Sequence, residues 1–277
     1  MLGSEIDNRQ SALRAADTDG CKVSVVTVVR NARCTIGDAV VSVLEQTESG
    51  LDYVVVDGMS DDGTNEILMG FNDPRMRVRR GSDNGIYDAL NKGIEFSRGG
   101  VIGFLHSDDM LTDSECLSRV CSEFEDPSVD AVYADLVYVE ASCATKVVRY
   151  WEERRFDRKR FLLGWMPPHP TVYVRRTIYE QYGGFRNDFR SSADYEMMIR
   201  LFYKHCLNVR YVPKILVRMR VGGQSNASWS NRRLANWEDR QAWIVNGLKP
   251  PPFLRLTKPL RKLPQYWRRP PVSLGPD

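Results

Sequence analysis

The sequence predicts an α/β protein built on an open, mostly parallel sheet flanked by helices, with a helical and basic appendage at the C-terminus. Two observations support this fold class. First, the β-branched run 22–29 and the apolar run 53–56 are typical of buried strands. Second, the apolar residues of the stretch between them, 35–46, recur at helical spacing. Strand, helix and strand in this order form a βαβ unit, which requires a parallel pair of strands with a right-handed crossover.

The same alternation continues along the first half of the chain. Further helices are expected over 63–70, 87–97 and 113–123, and further strands over 76–79, 101–109 and 131–140. The second half changes in composition. Residues 149–165 are rich in Arg, Lys and aromatic residues, and the prolines of 166–170 predict a stiff loop. A short strand over 171–174, helices over 176–182 and 192–205, a helix beyond Asn231 and a proline-broken basic tail complete the prediction.

The composition excludes several classes of protein. A hydrophobic fraction of 42% is enough for a sizeable core, and a net charge of +3 over 277 residues does not indicate a nucleic-acid binder. The six cysteines form no Cys-x-x-Cys pair, so they are interpreted as reduced packing residues of a cytoplasmic protein. There is no apolar signal core, and no apolar run reaches the ~18 residues that span a bilayer.

Polar residues follow several of the expected strands where each one ends. Arg30, Asp57, Asp83 and the pair Asp108–Asp109 all lie at such ends. Because an open α/β sheet binds its ligand beyond the carboxyl ends of its strands, we expect these clusters to converge on one crevice.

The adjacent carboxylates Asp108 and Asp109 carry the strongest chemical signal. Two like charges so close together repel unless a cation lies between them, and Mg²⁺ or Mn²⁺ prefers carboxylate oxygen. A polar turn after a strand is the alternative. Asp57 ends an apolar strand, where an unpartnered acid is costly, so we expect it to accept hydrogen bonds from a base or a ribose.

Three further positions leave two interpretations open. Asp88 and Lys92 lie on one helical face, which suits either a diphosphate site or a solvated surface. Asp194 falls in the first turn of a helix that Ser191 or Ser192 begins, so it is either a general base or a helix stabiliser. His169 either completes a metal shell or packs in a rigid turn.

In this order, the motifs resemble the family 2 glycosyltransferases of the GT-A fold, whose sheet is Rossmann-like. The resemblance rests on five segments and covers about residues 22–226: 23–31 as the opening strand and turn, 53–64 as a "VDGxSxDGT" loop, 83–93 as "DxGIYDAxNKG", 104–109 as a DXD-like motif, and 193–196 as the acidic base motif. His169–Pro170 and the run 218–223 resemble the branch that builds bacterial surface polysaccharides.

The resemblance implies an inverting transfer from a nucleoside-diphosphate sugar, most readily a UDP-sugar, to a hydroxyl of a saccharide acceptor. It implies Asp194 as the catalytic base, Asp109 with Asp108 and His169 as ligands of Mn²⁺ or Mg²⁺, and Trp165 and Tyr195 as acceptor residues. The donor-binding residues that it implies are Thr27, Val28, Arg30, Asp57, Gly58, Ser60, Asp83, Asp88, Lys92, Ser107 and Asp108. Gly58 stands where many relatives carry a second Asp, and His106 where many carry Asp or Asn.

The expected domain organisation follows from these motifs. Residues 1–21 form a disordered segment, 22–140 the nucleotide-sugar half and 141–226 the acceptor half of one GT-A domain, and 227–277 a C-terminal helix and basic tail. In the tail, five apolar residues recur every three or four positions among Lys and Arg: Phe253, Leu256, Leu260, Leu263 and Trp267. This pattern suits an anionic membrane surface, which would imply a lipid-linked acceptor and a cytoplasmic, peripheral enzyme; a tail packed on the domain or disordered is the alternative.

Two other functions fit parts of the sequence. An Asp that ends a buried strand and is followed by Gly, Ser and Thr suggests a metal-dependent phosphohydrolase with Asp57 as its nucleophile, although Met59 stands where that family has a second Asp. A non-catalytic carbohydrate-binding relative is the other alternative, and the intact Asp109 and Asp194 argue against it.

Overall fold

The computed structural model describes residues 23–222 and 229–252, together with residues 254, 257, 258, 261, 263–267 and 270. The segment 1–21, predicted to be disordered, lies outside the described residues. So do several positions of the apolar pattern in the tail, among them Phe253, Leu256 and Leu260.

The described residues form one sheet of nine strands with the order β3-β2-β1-β4-β8-β6-β9-β5, and β7 pairs with β6 at the side. Six strands (β1, β2, β3, β4, β6 and β9) run in one direction, and β5, β7 and β8 run in the other, so the sheet is mostly parallel. The strands are β1 Val23–Val29, β2 Leu51–Asp57, β3 Met76–Arg80, β4 Val101–Phe104, β5 Met110–Leu111, β6 Ala131–Glu140, β7 Cys143–Trp151, β8 Tyr173–Arg175 and β9 Val209–Arg220.

Seven α-helices connect and flank these strands in the described part of the chain. They are α1 Ile36–Leu44, α2 Thr64–Met69, α3 Ile86–Phe96, α4 Cys116–Phe124, α5 Arg176–Tyr182, α6 Ala193–Met198 and α7 Trp229–Ile244. A π-helical turn, Ile199–Lys204, continues α6, and short 3₁₀ helices occupy Arg158–Leu163, His169–Thr171 and Leu263–Tyr266.

The two faces of the sheet pack into separate hydrophobic cores. On one face Val26 and Val54 pack with Leu90 of α3 and with the aromatic residues of the second half. On the other face Val25 and Val55 pack with the apolar side chains of α1 and α4. Because successive side chains of a strand point to opposite faces, a strand buried on both faces is apolar throughout, as the sequence of β1 predicts.

Three expectations from the sequence are corrected. The strand predicted to run into Asp108–Asp109 ends at Phe104, so a turn carries both acids. The helix predicted over 192–205 is α-helical only to Met198. Strands β5, β7 and β9 were not predicted; β7 is an edge strand with several exposed residues, and the ladder between β6 and β9 contains register shifts, so neither gives a clean alternating pattern.

The cysteines only partly match their expected role as packing residues. Cys116 and Cys121 are buried, but Cys34, Cys143 and Cys206 are exposed, and none of these five forms a disulfide. None of the helices in the described part of the chain combines the length and the apolar character needed to cross a membrane.

Candidate active site

The first part of the site lies at the edge of the sheet where β1, β2 and β3 end. The parallel register aligns Val29, Asp57 and Arg80 across the three strands. Backbone hydrogen bonds continue past the strand ends, from Gly58 N–H to the carbonyl of Val29 (2.9 Å) and from Gly81 N–H to that of Asp57 (3.0 Å). The polar loops after these strands are therefore neighbours, as the parallel sheet predicts.

Asp57 is fully buried at this edge. Its Oδ1 accepts hydrogen bonds from the backbone N–H (2.9 Å) and the hydroxyl (2.6 Å) of Ser60, and Nε of Arg80 lies 3.2 Å from Oδ2. Oδ2 has no hydrogen-bond partner among the described groups. Its contact with Arg80 is therefore an ion pair and not an aligned hydrogen bond. A carboxylate this enclosed and this engaged is poorly placed to attack a substrate as a phosphohydrolase nucleophile.

Gly58 and Asp83 meet at the same edge. A Cβ on Gly58 would lie 2.4 Å from Oδ2 of Asp83, so the Asp83 carboxylate occupies the space that a side chain at position 58 would need. Arg30 is exposed beside this loop, whereas Thr27 is buried and its hydroxyl accepts a hydrogen bond from Tyr53 at 3.1 Å. Val28 is also buried.

The loop that leads into α3 is held by a network of charged groups. Nζ of Lys92 donates to the Asp88 carboxylate (2.8 Å) and to the carbonyl of Ser82 (2.8 Å), and the same carboxylate accepts the backbone N–H of Asn84 at 2.9 Å. The Lys92 ammonium lowers the pKa of Asp88. These contacts fix the loop that begins at Asp83.

Asp109 is buried in the turn after β4. Its Oδ1 accepts the backbone N–H of Arg220 at 3.2 Å, and its Oδ2 has no hydrogen-bond partner among the described groups. Burial and the neighbouring charge of Asp108 raise the pKa of Asp109 well above its usual value. The Arg220 guanidinium lies over this turn, where it donates to the carbonyl of Asp108 (3.0 Å) and pairs with the exposed Asp38.

The described residues contain no group of three or more His, Cys, Asp or Glu side chains placed to hold a metal. Such a set is not required for Mg²⁺ or Mn²⁺, which commonly bind through one or two carboxylates and take further oxygens from a bound phosphate. The unpartnered Oδ2 of Asp109 is a fitting oxygen ligand. Ser107 and Asp108 are half-buried in the same turn.

His169 is a buried residue with an unpartnered Nε2. Its ring stacks on Phe104 at a centroid distance of 5.9 Å and lies 5.8 Å from the ring of His106. Burial, with a smaller effect of His106, lowers the pKa of His169 to about 3, so its imidazole is neutral. A neutral imidazole can accept a hydrogen bond or bind a metal, and it also packs in the rigid turn that the sequence predicted as the alternative.

The second part of the site is a cavity of about 870 Å³. Four of the residues singled out from the sequence line it: His169, Trp165, Asp194 and Tyr195. His106, which follows β4, also lines it, so the cavity reaches the carboxyl end of that strand. Asp57, Asp83, Asp88 and Asp109 are not among its lining residues.

Asp194 lies in the first turn of α6 and is one of the residues that line the cavity. Burial raises the pKa of Asp194 to about 6, and the negative charge of Asp239 acts in the same direction. The backbone N–H of Tyr195 and the charge of Lys258 oppose this rise. A carboxylate with this pKa is ionised at neutral pH and remains basic enough to take a proton from a hydroxyl.

One residue that the sequence did not single out holds the segment just before Asp194 in place. Glu238 of α7 is buried and accepts three backbone N–H groups at 2.8 Å each, those of Arg190, Ser191 and Ser192. Tyr87 of α3 lies near the start of α6: burial raises the pKa of its hydroxyl, and the charge of Asp194 raises it further. In the sequence, Glu238 belongs to a charged helix face and carries no motif, so only its position in space identifies it.

The C-terminal strap, described at residues 254, 257, 258, 261 and 263–267, forms one wall of the cavity. Lys258, Arg261 and Gln265 line it directly. Lys258 pairs with the buried Asp239 at 2.6 Å and lies 4.0 Å from the ring centroid of Tyr195. For these described residues, the alternative of a tail packed on the domain is therefore the one observed, although Trp267 is 77% exposed.

The chain is similar in sequence to known glycosyltransferases. The profile of the family described as glycosyl transferase family 2 matches residues 24–183. A "PGL/p-HBAD biosynthesis glycosyltransferase" of Mycobacterium bovis (strain BCG / Pasteur 1173P2) is 28% identical over 209 residues, which span 73% of this chain and 78% of that protein.

Solved structures share the fold at lower identity. The mannosyltransferase PcManGT of Pyrobaculum calidifontis, in complex with GDP-Man and Mn²⁺, superposes with a TM-score of 0.64 at 18% identity over 87% of this chain and 69% of that one. S. aureus TarS 1-349 in complex with UDP-GlcNAc gives a TM-score of 0.64 at 16% identity over 88% and 78%. A second TarS 1-349 structure gives 0.58 at 17% identity over 72% of this chain and 60% of that one, less than two thirds of its length. All three similarities establish the α/β fold with a mostly parallel sheet.

Proposed function

This chain belongs to glycosyl transferase family 2, and from that premise we propose that it is an inverting transferase that moves a hexosyl or N-acetylhexosaminyl group from a nucleoside-diphosphate sugar to a saccharide hydroxyl. The observation that carries the proposal is the position of Asp194, which lines the cavity at the start of α6 and has a pKa of about 6.

The proposed reaction is a single displacement at the anomeric carbon. Asp194 takes the proton of the acceptor hydroxyl as that oxygen attacks. The new bond forms on the face opposite the bond to the diphosphate, which breaks with its electron pair leaving on the nucleoside diphosphate. The configuration of the sugar is therefore inverted. Trp165 and Tyr195, which line the cavity, are the proposed acceptor contacts.

The donor is assigned to the sheet edge that ends in Asp57. We assign the base and ribose to the group around this residue: Thr27, Val28, Arg30, Asp57, Gly58, Ser60 and Asp83. Asp88, Lys92, Ser107 and Asp108 are assigned to the diphosphate and sugar. The solved relatives bind UDP-GlcNAc and GDP-Man, so both nucleotides suit the fold. We favour UDP as the nucleotide because the sequence motifs most readily imply a UDP-sugar.

The proposed metal is Mn²⁺ or Mg²⁺, with Asp109 as its main ligand and Asp108 and His169 as further candidates. When bound, the ion would neutralise charge on the departing diphosphate. Support comes from the unpartnered oxygen of Asp109 and the unpartnered nitrogen of His169. The mannosyltransferase relative contains Mn²⁺.

We also propose a lipid-linked acceptor in surface polysaccharide synthesis and a cytoplasmic enzyme at the membrane surface. The support is limited to the exposed aromatic residues Tyr266 and Trp267 at the end of the strap, beside the basic residues of the tail. Sedimentation with vesicles containing anionic lipid, compared with neutral vesicles, tests this part alone.

The test of the proposed function combines a donor panel with a base variant. The protein is incubated with Mn²⁺, saccharide and lipid-linked saccharide acceptors, and UDP- or GDP-linked hexoses and N-acetylhexosamines. Nuclear magnetic resonance reports the anomeric configuration of the product. We expect a product of inverted configuration. The Asp194→Asn variant should form no product but should bind the donor with unchanged affinity. The matched control is Asp188→Asn, an exposed acid paired with Arg186.

Four outcomes would contradict the proposal. A product that retains the donor's configuration rules out a single displacement. Full activity of the Asp194→Asn variant would show that Asp194 is not the catalytic base. Metal-dependent phosphate release from simple phosphate esters, with no sugar transfer, would point to the phosphohydrolase alternative, and sugar binding without turnover to a non-catalytic protein.

A further inference from the structure

The strap places a second positive charge beside Arg160 at the wall of the cavity. Both Arg160 and Arg261 line the cavity that contains Asp194. Arg261 lies three residues after Lys258, which is anchored by its pair with Asp239, and the backbone N–H of Arg261 donates to the carbonyl of Thr257 at 3.1 Å. Arg149 donates to Gln265 and lies 5.3 Å from the ring centroid of Tyr266, so the strap is held on both sides of Arg261.

Arg160 is oriented by neighbours that use only part of its guanidinium. Its Nη2 donates to the buried Glu153 at 2.7 Å, and its Cζ lies 4.2 Å from the ring centroid of Trp165. The other oxygen of Glu153 already accepts the indole N–H groups of Trp151 (2.7 Å) and Trp165 (2.8 Å). Glu153 thus accepts three hydrogen bonds, and Nη1 of Arg160 is buried with no hydrogen-bond partner among the described groups.

Arg261 adds a cation that its neighbours do not neutralise. Burial lowers the pKa of Arg261, and the charge of Arg160 lowers it further, while Glu153 acts in the opposite direction. No salt bridge between Arg261 and an acid is present among the described residues, and Glu153, whose charge acts on Arg261, is paired with Arg160. Two guanidinium groups that repel each other, with a buried N–H left without an acceptor, form an arrangement that a bound oxyanion would stabilise.

We propose that Arg160 and Arg261 form a subsite for an oxyanion of the acceptor, a phosphate or a carboxylate carried by the saccharide. This inference rests on the proposed function, because it assigns the cavity beside Asp194 to the acceptor. The planar guanidinium groups suit an oxyanion, which presents several acceptor oxygens. The subsite is complete only when the strap is packed on the domain, so the strap is part of the acceptor site.

The experiment is a calorimetric titration of the full chain with three small probes at constant ionic strength, with and without saturating UDP and Mn²⁺. The probes are glucose 1-phosphate, glucuronate and the neutral methyl glucoside. We expect at least one anionic probe to bind about tenfold or more tightly than methyl glucoside when UDP is present. The anion that binds distinguishes a phosphate-bearing from a carboxylate-bearing acceptor.

The variants separate a specific site from general charge attraction. Arg261→Gln should remove the preference for the anion and leave the affinity for UDP unchanged. Lys249→Gln removes the same charge at an exposed residue that does not line the cavity, and it should keep the preference. Arg160→Gln should also weaken the binding of the anion. Because this variant breaks the pair with Glu153, circular dichroism checks that the protein is still folded.

The proposal is overturned if all three probes bind equally, or if Arg261→Gln and Lys249→Gln lower anion affinity to the same extent. These results are independent of the proposed function. If the donor panel yields no transfer but the preference for an anion persists and depends on Arg261, the proposed function has failed and the oxyanion site stands. If transfer occurs without any preference for an anion, only the subsite is rejected.

Discussion

Glu238 accepts the backbone N–H of Ser192 at 2.8 Å, so a carboxylate on α7 holds the residue that immediately precedes the helix of Asp194. The two residues are 46 positions apart in the sequence. Glu238 also accepts the N–H groups of Arg190 and Ser191, so its charge faces three donors at the N-terminal end of α6. A negative charge at this end of a helix is stabilising, and here it also fixes the position of the proposed base.

Glu238→Gln should lower both stability and turnover. The amide keeps the size of the side chain but replaces one accepting oxygen with an NH₂ group, which would face backbone donors. We expect a loss of about 1–3 kcal/mol in the free energy of unfolding, because buried N–H groups lose their acceptor. Chemical denaturation measures this loss, and Glu180→Gln, at an exposed residue of α5, is the control. Unchanged stability would show that these hydrogen bonds to Glu238 do not stabilise the fold.

The rate of transfer should depend on the ionisation of Asp194. With a pKa of about 6, the ionised fraction falls about tenfold per pH unit below 6 and levels off above about 7, so kcat should follow the same curve. Lys258→Gln removes a cation that lowers this pKa and should move the acid limb to higher pH. Asp239→Asn removes an anion that raises it and should move the limb to lower pH. If both variants shift the acid limb of the pH profile in the same direction, Asp194 is not the group that titrates.

Asp109→Asn should abolish the stimulation of transfer by Mn²⁺ without destabilising the protein. One oxygen of Asp109 accepts a backbone N–H, which the amide oxygen can still do, and the other has no hydrogen-bond partner among the described groups. Burial raises the pKa of this acid, so replacing it with a neutral amide removes an unfavourable buried charge. The readouts are the dependence of turnover on Mn²⁺ concentration and the melting temperature. Normal stimulation of the variant by Mn²⁺ would show that Asp109 is not the main metal ligand.

Asp57→Asn should weaken nucleotide binding and destabilise the loop after β2. The carboxylate accepts two hydrogen bonds from Ser60 and lies 3.2 Å from Nε of Arg80, and an amide cannot keep both sets of contacts. We expect a loss of about 1–3 kcal/mol in stability and about tenfold weaker UDP binding, measured by denaturation and calorimetry. Asp61→Asn, in the same loop but exposed, should change neither quantity by a comparable amount.

Gly103→Ala should destabilise the sheet where its parallel and antiparallel parts join. Gly103 of β4 pairs with Tyr173 of β8, and an added Cβ would lie 2.2 Å from the tyrosine ring. A core with no room for an extra methyl group typically loses about 1–3 kcal/mol. Gly37→Ala is the matched control, because its Cβ would meet nothing within 4 Å and alanine favours helix α1. An equal melting temperature for both variants would show that Tyr173 moves aside without cost.

The first half of the fold was predictable because its signals are local. An apolar, β-branched strand such as β1 and an amphipathic helix such as α1 are specified by residues close together in the chain, and the carboxyl end of β2 follows from that alternation. The sequence also predicted a chemical use for Asp57, Asp109 and Asp194. These assignments required only the residue type and its place next to a strand end or a helix start.

The tertiary structure decided which residues surround those acids. Arg220 approaches Asp109 from β9, Glu238 approaches Ser192 from α7, and Lys258 approaches Asp194 from the strap. None of these partners is near its target in sequence, and no periodic pattern records a contact across such separations. The sequence by itself therefore determined the α/β sheet and its acids, whereas the packing of distant segments determined the pKa of Asp194 and the wall of its cavity, because burial and charge act through space.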